Sequence, residues 1–146
     1  MLQALQVRPL VDGDADVALK LYNELTFGPE CSDANAVRAV LSHSGTTVLG
    51  ALDGTNLCAM LTLHLMPNVT WGARPYGLIE NVVTSERYRK RGIGKHLMQA
   101  ALARAWAADA YKVMLMTGQK RDAKQFYKKA GFSPEDKHAM VARRYP

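Results

Sequence analysis

Residues 76–107 read YGLIENVVTSERYRKRGIGKHLMQAALARAWA. Tyr76 to Thr84 is short, apolar and rich in β-branched residues, which predicts a buried strand. Ile93, Leu97, Ala101, Leu102 and Ala105 recur at helical spacing, so a helix follows to about Ala108. Between the two, Arg87, Arg89, Lys90, Arg91 and Lys95 crowd around Gly92 and Gly94. Basic residues oppose the dipole at a helix N-terminus by roughly 0.3–1 kcal/mol each. That same turn leaves four backbone N–H groups without partners, and glycine has no Cβ to keep an oxyanion away from them. A bound polyphosphate reverses the sign of the charge cost, so the segment is complementary to an anion.

Working outward, Leu5 to Arg8 is a first strand, and "DGDAD" supplies caps for a helix through about Leu25 with Val17, Leu21 and Leu25 on one stripe. Gly28-Pro29 breaks the chain. Ser32 or Asp33 caps a second helix carrying Val37, Val40 and Leu41, which ends near Gly45. Residues 46–66 form two strand-like runs joined at Asp53-Gly54, a hairpin, and Pro67 to Pro75 is a loop containing Trp71. Beyond the central helix, "YKVMLMT" is another buried strand, "DAKQFYKKA" a short helix closed by Gly131, and "HAMVARR" a last strand. The order β-α-α-β-β-β-α-β-α-β predicts one α/β domain over residues 1–146, with a mixed sheet.

The chain has 146 residues and is 48% hydrophobic and 22% charged, which permits a full core and argues against disorder. Its net charge of +6 is unevenly spread. Residues 1–73 hold three basic side chains against seven acids, net −4; residues 74–146 hold sixteen against six, net +10. That asymmetry points to an anionic partner: nucleic acid, an acidic membrane or a phosphorylated small molecule. Cys31 and Cys58 stand apart with no metal-ligand spacing, so free thiols and no metal site are expected. No secretory pattern opens the sequence and no apolar run approaches the roughly 18 residues of a membrane span. A cytoplasmic location without membrane contact is expected.

The glycine loop fits neither the Walker nor the Rossmann pattern: "GIGKH" has the wrong spacing for the first, and Leu97 stands where the second needs a third glycine. Arg89-x-x-Gly92-x-Gly94, placed between "IENVV" and a helix, resembles the pyrophosphate-binding signature of the GCN5-related N-acetyltransferases (GNAT). "FYKKAGF", Phe126 to Phe132, is similar to the family's other hallmark, a tyrosine on a short helix followed by Gly-Phe. The resemblance is firmest over residues 76–132 and leans towards the small-molecule branch. It implies a layered fold with a mixed, mostly antiparallel central sheet flanked by helices, and acetyl-CoA as co-substrate. Arg89, Lys90, Arg91, Gly92, Ile93, Gly94 and Lys95 would hold the pyrophosphate. Val82, Val83 and Thr84, on a strand that splays from its neighbour, would offer backbone N–H groups to the pantetheine arm and the thioester. One departure is Lys120, where many members carry an asparagine that helps hold the cofactor.

Acetyl transfer from a thioester to an amine needs a neutral amine, a polarised carbonyl and a proton for the departing thiolate. Tyr127, near pKa 10, can protonate a thiolate whose conjugate acid sits near 8.5. Glu80 interrupts an apolar strand and on alternation shares a face with Leu78 and Val82; it is either a general base acting through a water or half of a structural ion pair. His64 reads as a satisfied strand histidine, and His96 as a neighbour of phosphate. The second cationic cluster, Lys120, Arg121, Lys124, Lys128 and Lys129, either meets the cofactor's 3′-phosphoadenosine or is solvated. Thr26 to Ser32 and the Pro67–Pro75 loop are the expected acceptor-site walls, with Trp71 at the acceptor or in a homodimer interface.

The expected activity is therefore N-acetylation of a small primary amine. Two alternatives remain beside it: acylation of a protein N-terminus or lysine, and a basic nucleic-acid-binding or acetyl-CoA-sensing module. Clustering of the cations at a glycine-bearing helix start, instead of along a face with aromatics between, weighs against nucleic acid.

Overall fold

A computed structural model describes residues 4–144. Its sheet follows chain order: β1 (Leu5–Pro9), β2 (Thr46–Asp53), β3 (Asn56–Met66), β4 (Tyr76–Thr84) and β5 (Val113–Leu115). Neighbours are antiparallel as far as β4, and β5 lies parallel beside it. A parallel neighbour needs a crossover connection. Here that connection contains the long helix α4 (Ile93–Ala107), which follows α1 (Ala15–Leu25), α2 (Ala34–Ser42) and the four-residue α3 (Thr70–Ala73) and precedes α5 (Lys124–Lys129).

Side chains of β2 and β3 divide between two cores because successive residues point to opposite faces. Leu49, Leu61, Leu63 and Ile79 meet Ile93, Leu97, Met98 and Ala101 of α4. Val48, Leu52, Met60 and Val83 meet Ala15, Ala18 and Leu21 of α1 and Val37 of α2. The sheet is thus a middle layer with α4 on one side and α1 and α2 on the other. The buried stripe of α1 is Ala15, Ala18 and Leu21; Val17 faces solvent, one step off the expected phase. Asp33 caps α2, its carboxylate accepting the N–H of Asn35 at 2.9 Å.

An irregularity in β4 alters the reading of Glu80. Met60 faces Val83 and Thr62 faces Glu80, so Asn81 and Val82 together oppose Leu61. This is a β-bulge, and Asn81 at φ +52° is one of the few residue types that enter the left-handed region at modest cost. The extra residue reverses the alternation. Val82 packs with the α4 core, while Val83 and Glu80 fall on the α1 side. Glu80 and Val82 therefore do not share a face, contrary to simple alternation.

The C-terminal end also departs from expectation. Only Val113–Leu115 of "YKVMLMT" forms a strand, and residues 138–144 form none. Met140 and Val141 lie exposed. The Pro67–Pro75 loop contains α3, a left-handed turn with positive φ at Trp71, Gly72 and Ala73. Trp71 stacks on Tyr111, ring centroids 5.4 Å apart, and Arg74 pairs with Asp109 at 2.9 Å. These contacts pin the loop to the corner between α4 and β5.

Candidate active site

Parallel pairing between β4 and β5 covers Gly77 to Ile79 only, whereas β4 continues to Thr84. Beyond Ile79 the two strands part, and the β4 edge from Glu80 onward has no strand beside it. Ser85 N–H donates to Cys58 O at 2.8 Å, so antiparallel alternation turns the main chain of Thr84 the other way, towards the opening. Its carbonyl accepts from Arg89 Nε at 3.1 Å. Val83 pairs with Met60 and buries its side chain on the α1 side, while Val82, on the bulge, lines the opening.

The open edge runs on through a 3₁₀ turn (Glu86–Tyr88) to the start of α4. Gly92 is its N-cap at φ +77°, with no side-chain cap. A residue with a Cβ would pay roughly 1–2 kcal/mol in that conformation. His96 N–H donates to Gly92 O, the first bond of the helical ladder, so the N–H groups of Ile93, Gly94 and Lys95 point out of the helix end. His96 Nδ1 also reaches Gly92 O, at 3.1 Å. Gly94 has a different reason for being glycine: a Cβ there would meet the ring of Phe126, not open solvent. Of the cations, Arg87 and Arg91 lie over the Tyr88 ring and Arg89 turns back to Thr84, while Lys90 and Lys95 are exposed.

At the other end of the open edge lies a cleft of about 610 Å³ whose lining includes Tyr22, Glu80, Val82, Arg121, Tyr127 and Arg143. Tyr127 is held by its neighbours on either side. Its ring is edge-on to Phe126 at 5.1 Å and to Phe132 at 6.4 Å, and its carbonyl accepts from Phe132 N–H. Burial pushes the Tyr127 phenol above its ordinary value; the Arg121 charge opposes this and the Glu80 charge adds to it. Glu80 is half-buried and, among the described residues, has no ion-pair or hydrogen-bond partner. No ion pair to a described residue keeps it there.

Two lining residues, Tyr22 and Arg143, have no part in the site as the sequence presents it, and Arg121 enters there only through the second cationic cluster. Tyr22 sits beside the α1 stripe, its hydroxyl 3.4 Å from Thr62 Oγ1, and burial pushes its phenol up against that hydrogen bond. Arg121 donates from Nη2 to Leu25 O at 3.3 Å and lies over the Phe27 ring at 4.8 Å, which ties the segment before α5 to the end of α1. Arg143 comes from the expected last strand. The expected wall between Thr26 and Ser32 does line the cleft, through Thr26, Phe27, Pro29 and Cys31, whereas the Pro67–Pro75 loop does not. Lys120 is exposed. His64 Nδ1 is bonded to Thr46 Oγ1 at 2.9 Å, the satisfied state expected of it.

Comparison with known proteins gives this arrangement a family. The sequence profile of the acetyltransferase (GNAT) family matches residues 15–132. A glucosamine 6-phosphate N-acetyltransferase of Trypanosoma brucei brucei is 30% identical over 149 residues, covering 94% of this chain and 95% of that one. A solved protein of Agrobacterium tumefaciens str. C58 is 35% identical with a TM-score of 0.87, covering 94% and 99% of the two chains. An aminoglycoside acetyltransferase from an uncultured soil metagenomic sample, solved with sisomicin, shares the fold at 18% identity and a TM-score of 0.80, covering 97% and 95%. This chain belongs to the GNAT family of acetyl-CoA-dependent acetyltransferases.

Proposed function

We propose that this protein moves the acetyl group of acetyl-CoA to the primary amine of a small molecule by direct attack. The observation that carries this reading is the stretch of β4 beyond Ile79 that β5 leaves unpaired. This edge lies between a helix start with outward N–H groups and a cleft lined by the Tyr127 phenol and by the Glu80 carboxylate, which has no ion-pair partner among the described residues. The residues fit acetyl-CoA. Ile93, Gly94 and Lys95 present N–H groups to the pyrophosphate, Gly92 gives the turn its shape, and Lys90, Arg91 and Lys95 add charge. Arg89 braces the turn through Thr84. Main-chain N–H groups of Val82, on the bulge, and Thr84 bind the pantetheine arm and polarise the thioester, while Val83 stays paired to Met60 of β3. Glu80 takes the amine's proton, directly or through a water, and Tyr127 protonates the thiolate as it leaves.

Two measurements test this. Gly92→Glu places a charged side chain at the pyrophosphate position, and isothermal titration with acetyl-CoA is expected to show no binding. Wild-type affinity in that variant overturns the phosphate site. A panel of small amines, followed by thiol release, is expected to contain at least one acceptor; release dependent on no amine overturns the transfer reaction.

A further inference from the structure

Resting on that reading, we propose that the acceptor amine also carries an acidic group, a phosphate or a carboxylate, held by Arg121 and Arg143, which line the cleft together with Glu80. The ionised side chains among the lining residues are these three: one carboxylate and two guanidinium groups. They have not neutralised one another. Among the described residues, Glu80 makes no ion pair, Arg143 has no hydrogen-bond or ion-pair partner, and Arg121 bonds through its side chain to a main-chain carbonyl and to no carboxylate. Unpaired charges of both signs facing one cleft are complementary to a ligand bearing both.

Arg121 is also pre-positioned. Its bond to Leu25 O and its place over Phe27 fix the guanidinium on the wall formed by the end of α1, so less side-chain freedom is lost when it binds. A planar guanidinium suits the paired oxygens of a carboxylate or phosphate. The proposed pyrophosphate site is at the α4 start, beyond Thr84, whereas Arg121 touches Leu25 and Phe27 on the expected acceptor wall. The same arrangement disfavours polycationic amines, which would bring further positive charge towards the two arginines.

The test uses matched acceptors at saturating acetyl-CoA: glucosamine against glucosamine 6-phosphate, β-alaninamide against β-alanine, and spermidine as a polycation. The acid-bearing member of at least one pair is expected to be preferred about tenfold or more in kcat/KM, mainly through KM. The two pairs separate phosphate from carboxylate. Arg143→Gln is expected to cut that preference at least about fivefold, and Arg121→Gln likewise, with Arg121→Lys retaining part of it. Because Arg121 also braces Leu25, the Arg143 variant carries the decision. Equal use of both members of each pair, a preference untouched in Arg143→Gln, or spermidine as the best acceptor overturns the proposal while leaving the acetyltransferase reading in place. Absence of transfer to any amine brings down both.

Discussion

Gly94 and Phe126 form the seam between α4 and α5: a β-carbon on Gly94 would stand 3.2 Å from Phe126 Cζ and 3.4 Å from its Cε2. Phe126 in turn contacts the Tyr127 ring. The residue that opens the helix start therefore also sets the height of the proposed acid. Gly94→Ala keeps the N–H but pushes Phe126 by a few tenths of an ångström. The expected outcome is a fall in kcat of about tenfold, a small displacement near the chemistry being costly, with the acetyl-CoA Kd within about twofold of wild type. At Gly92 a Cβ would meet nothing within 4 Å, but φ is +77°. Gly92→Ala should instead lower Tm by roughly 3–6 °C, from about 1–2 kcal/mol of backbone strain. Equal effects of the two alanine variants on kcat and Tm would show that the two glycines share one role.

Tyr127→Phe removes the proposed proton donor and preserves the ring contacts to Phe126 and Phe132. Turnover is expected to fall by about 10²–10⁴ with acetyl-CoA affinity intact. Burial outweighs the opposing Arg121 charge, so the phenol keeps its proton to higher pH than a free phenol does. An ultraviolet titration of wild type against Tyr127→Phe should therefore show one tyrosine ionising later than a free phenol. Unchanged turnover removes Tyr127 from the reaction.

The sequence made the central unit legible because each of its signals was local. Strand composition, glycine positions and helical periodicity between Tyr76 and Ala107 all describe the same few turns of chain, and the element boundaries there fall within a residue of expectation. The bulge at Asn81 was not legible. Nothing in "IENVV" marks an extra residue until β3 supplies the register, so Glu80 was assigned the wrong neighbour. The place of Arg121 and Arg143 beside the cleft was not legible for a related reason: a basic residue in a charged segment reads as solvated until the fold brings it to a distant partner, as it brings Arg121 to Leu25 and Phe27. The unformed last strand shows the converse. "HAMVARR" has strand composition, but composition forms no strand without a partner, and residues 138–144 pair with none of the five strands.

Glu80→Gln separates proton removal from electrostatic placement. An alkyl ammonium near pKa 10 is almost entirely charged at pH 7, and each pH unit upward increases the neutral amine about tenfold in that range. If Glu80 collects the proton, the variant is most impaired near neutrality, by about 10–100-fold. The ratio of wild-type to variant kcat/KM then shrinks towards high pH, where solution supplies neutral amine to both. A defect of constant size across pH would assign Glu80 to holding the ammonium group, not to deprotonating it.

Arg8 and Asp14 bear on folding instead of chemistry. Arg8, on β1, donates from Nη1 and Nη2 to the two carboxylate oxygens of Asp14 at 2.8 and 3.0 Å, and Val11 N–H adds a third bond at 2.8 Å. Together they fix the 3₁₀ turn (Asp12–Asp14) that leads into α1, the helix that carries Tyr22 to the cleft. Hydrogen bonds from Arg8 hold the Asp14 carboxyl below its usual value against the opposing pull of burial, with Val11 N–H assisting. A carboxyl depressed in the folded state contributes stability that is fully present above its unfolded pKa, near 3.9, and is lost as pH falls through the lower folded value. Asp14→Asn should therefore cost about 1 kcal/mol at pH 7, and urea melts of wild type and variant should converge as the pH is lowered below about 3.9. A gap that persists unchanged into acid would mean that the asparagine disturbs the turn itself, and that the charge of Asp14 adds nothing.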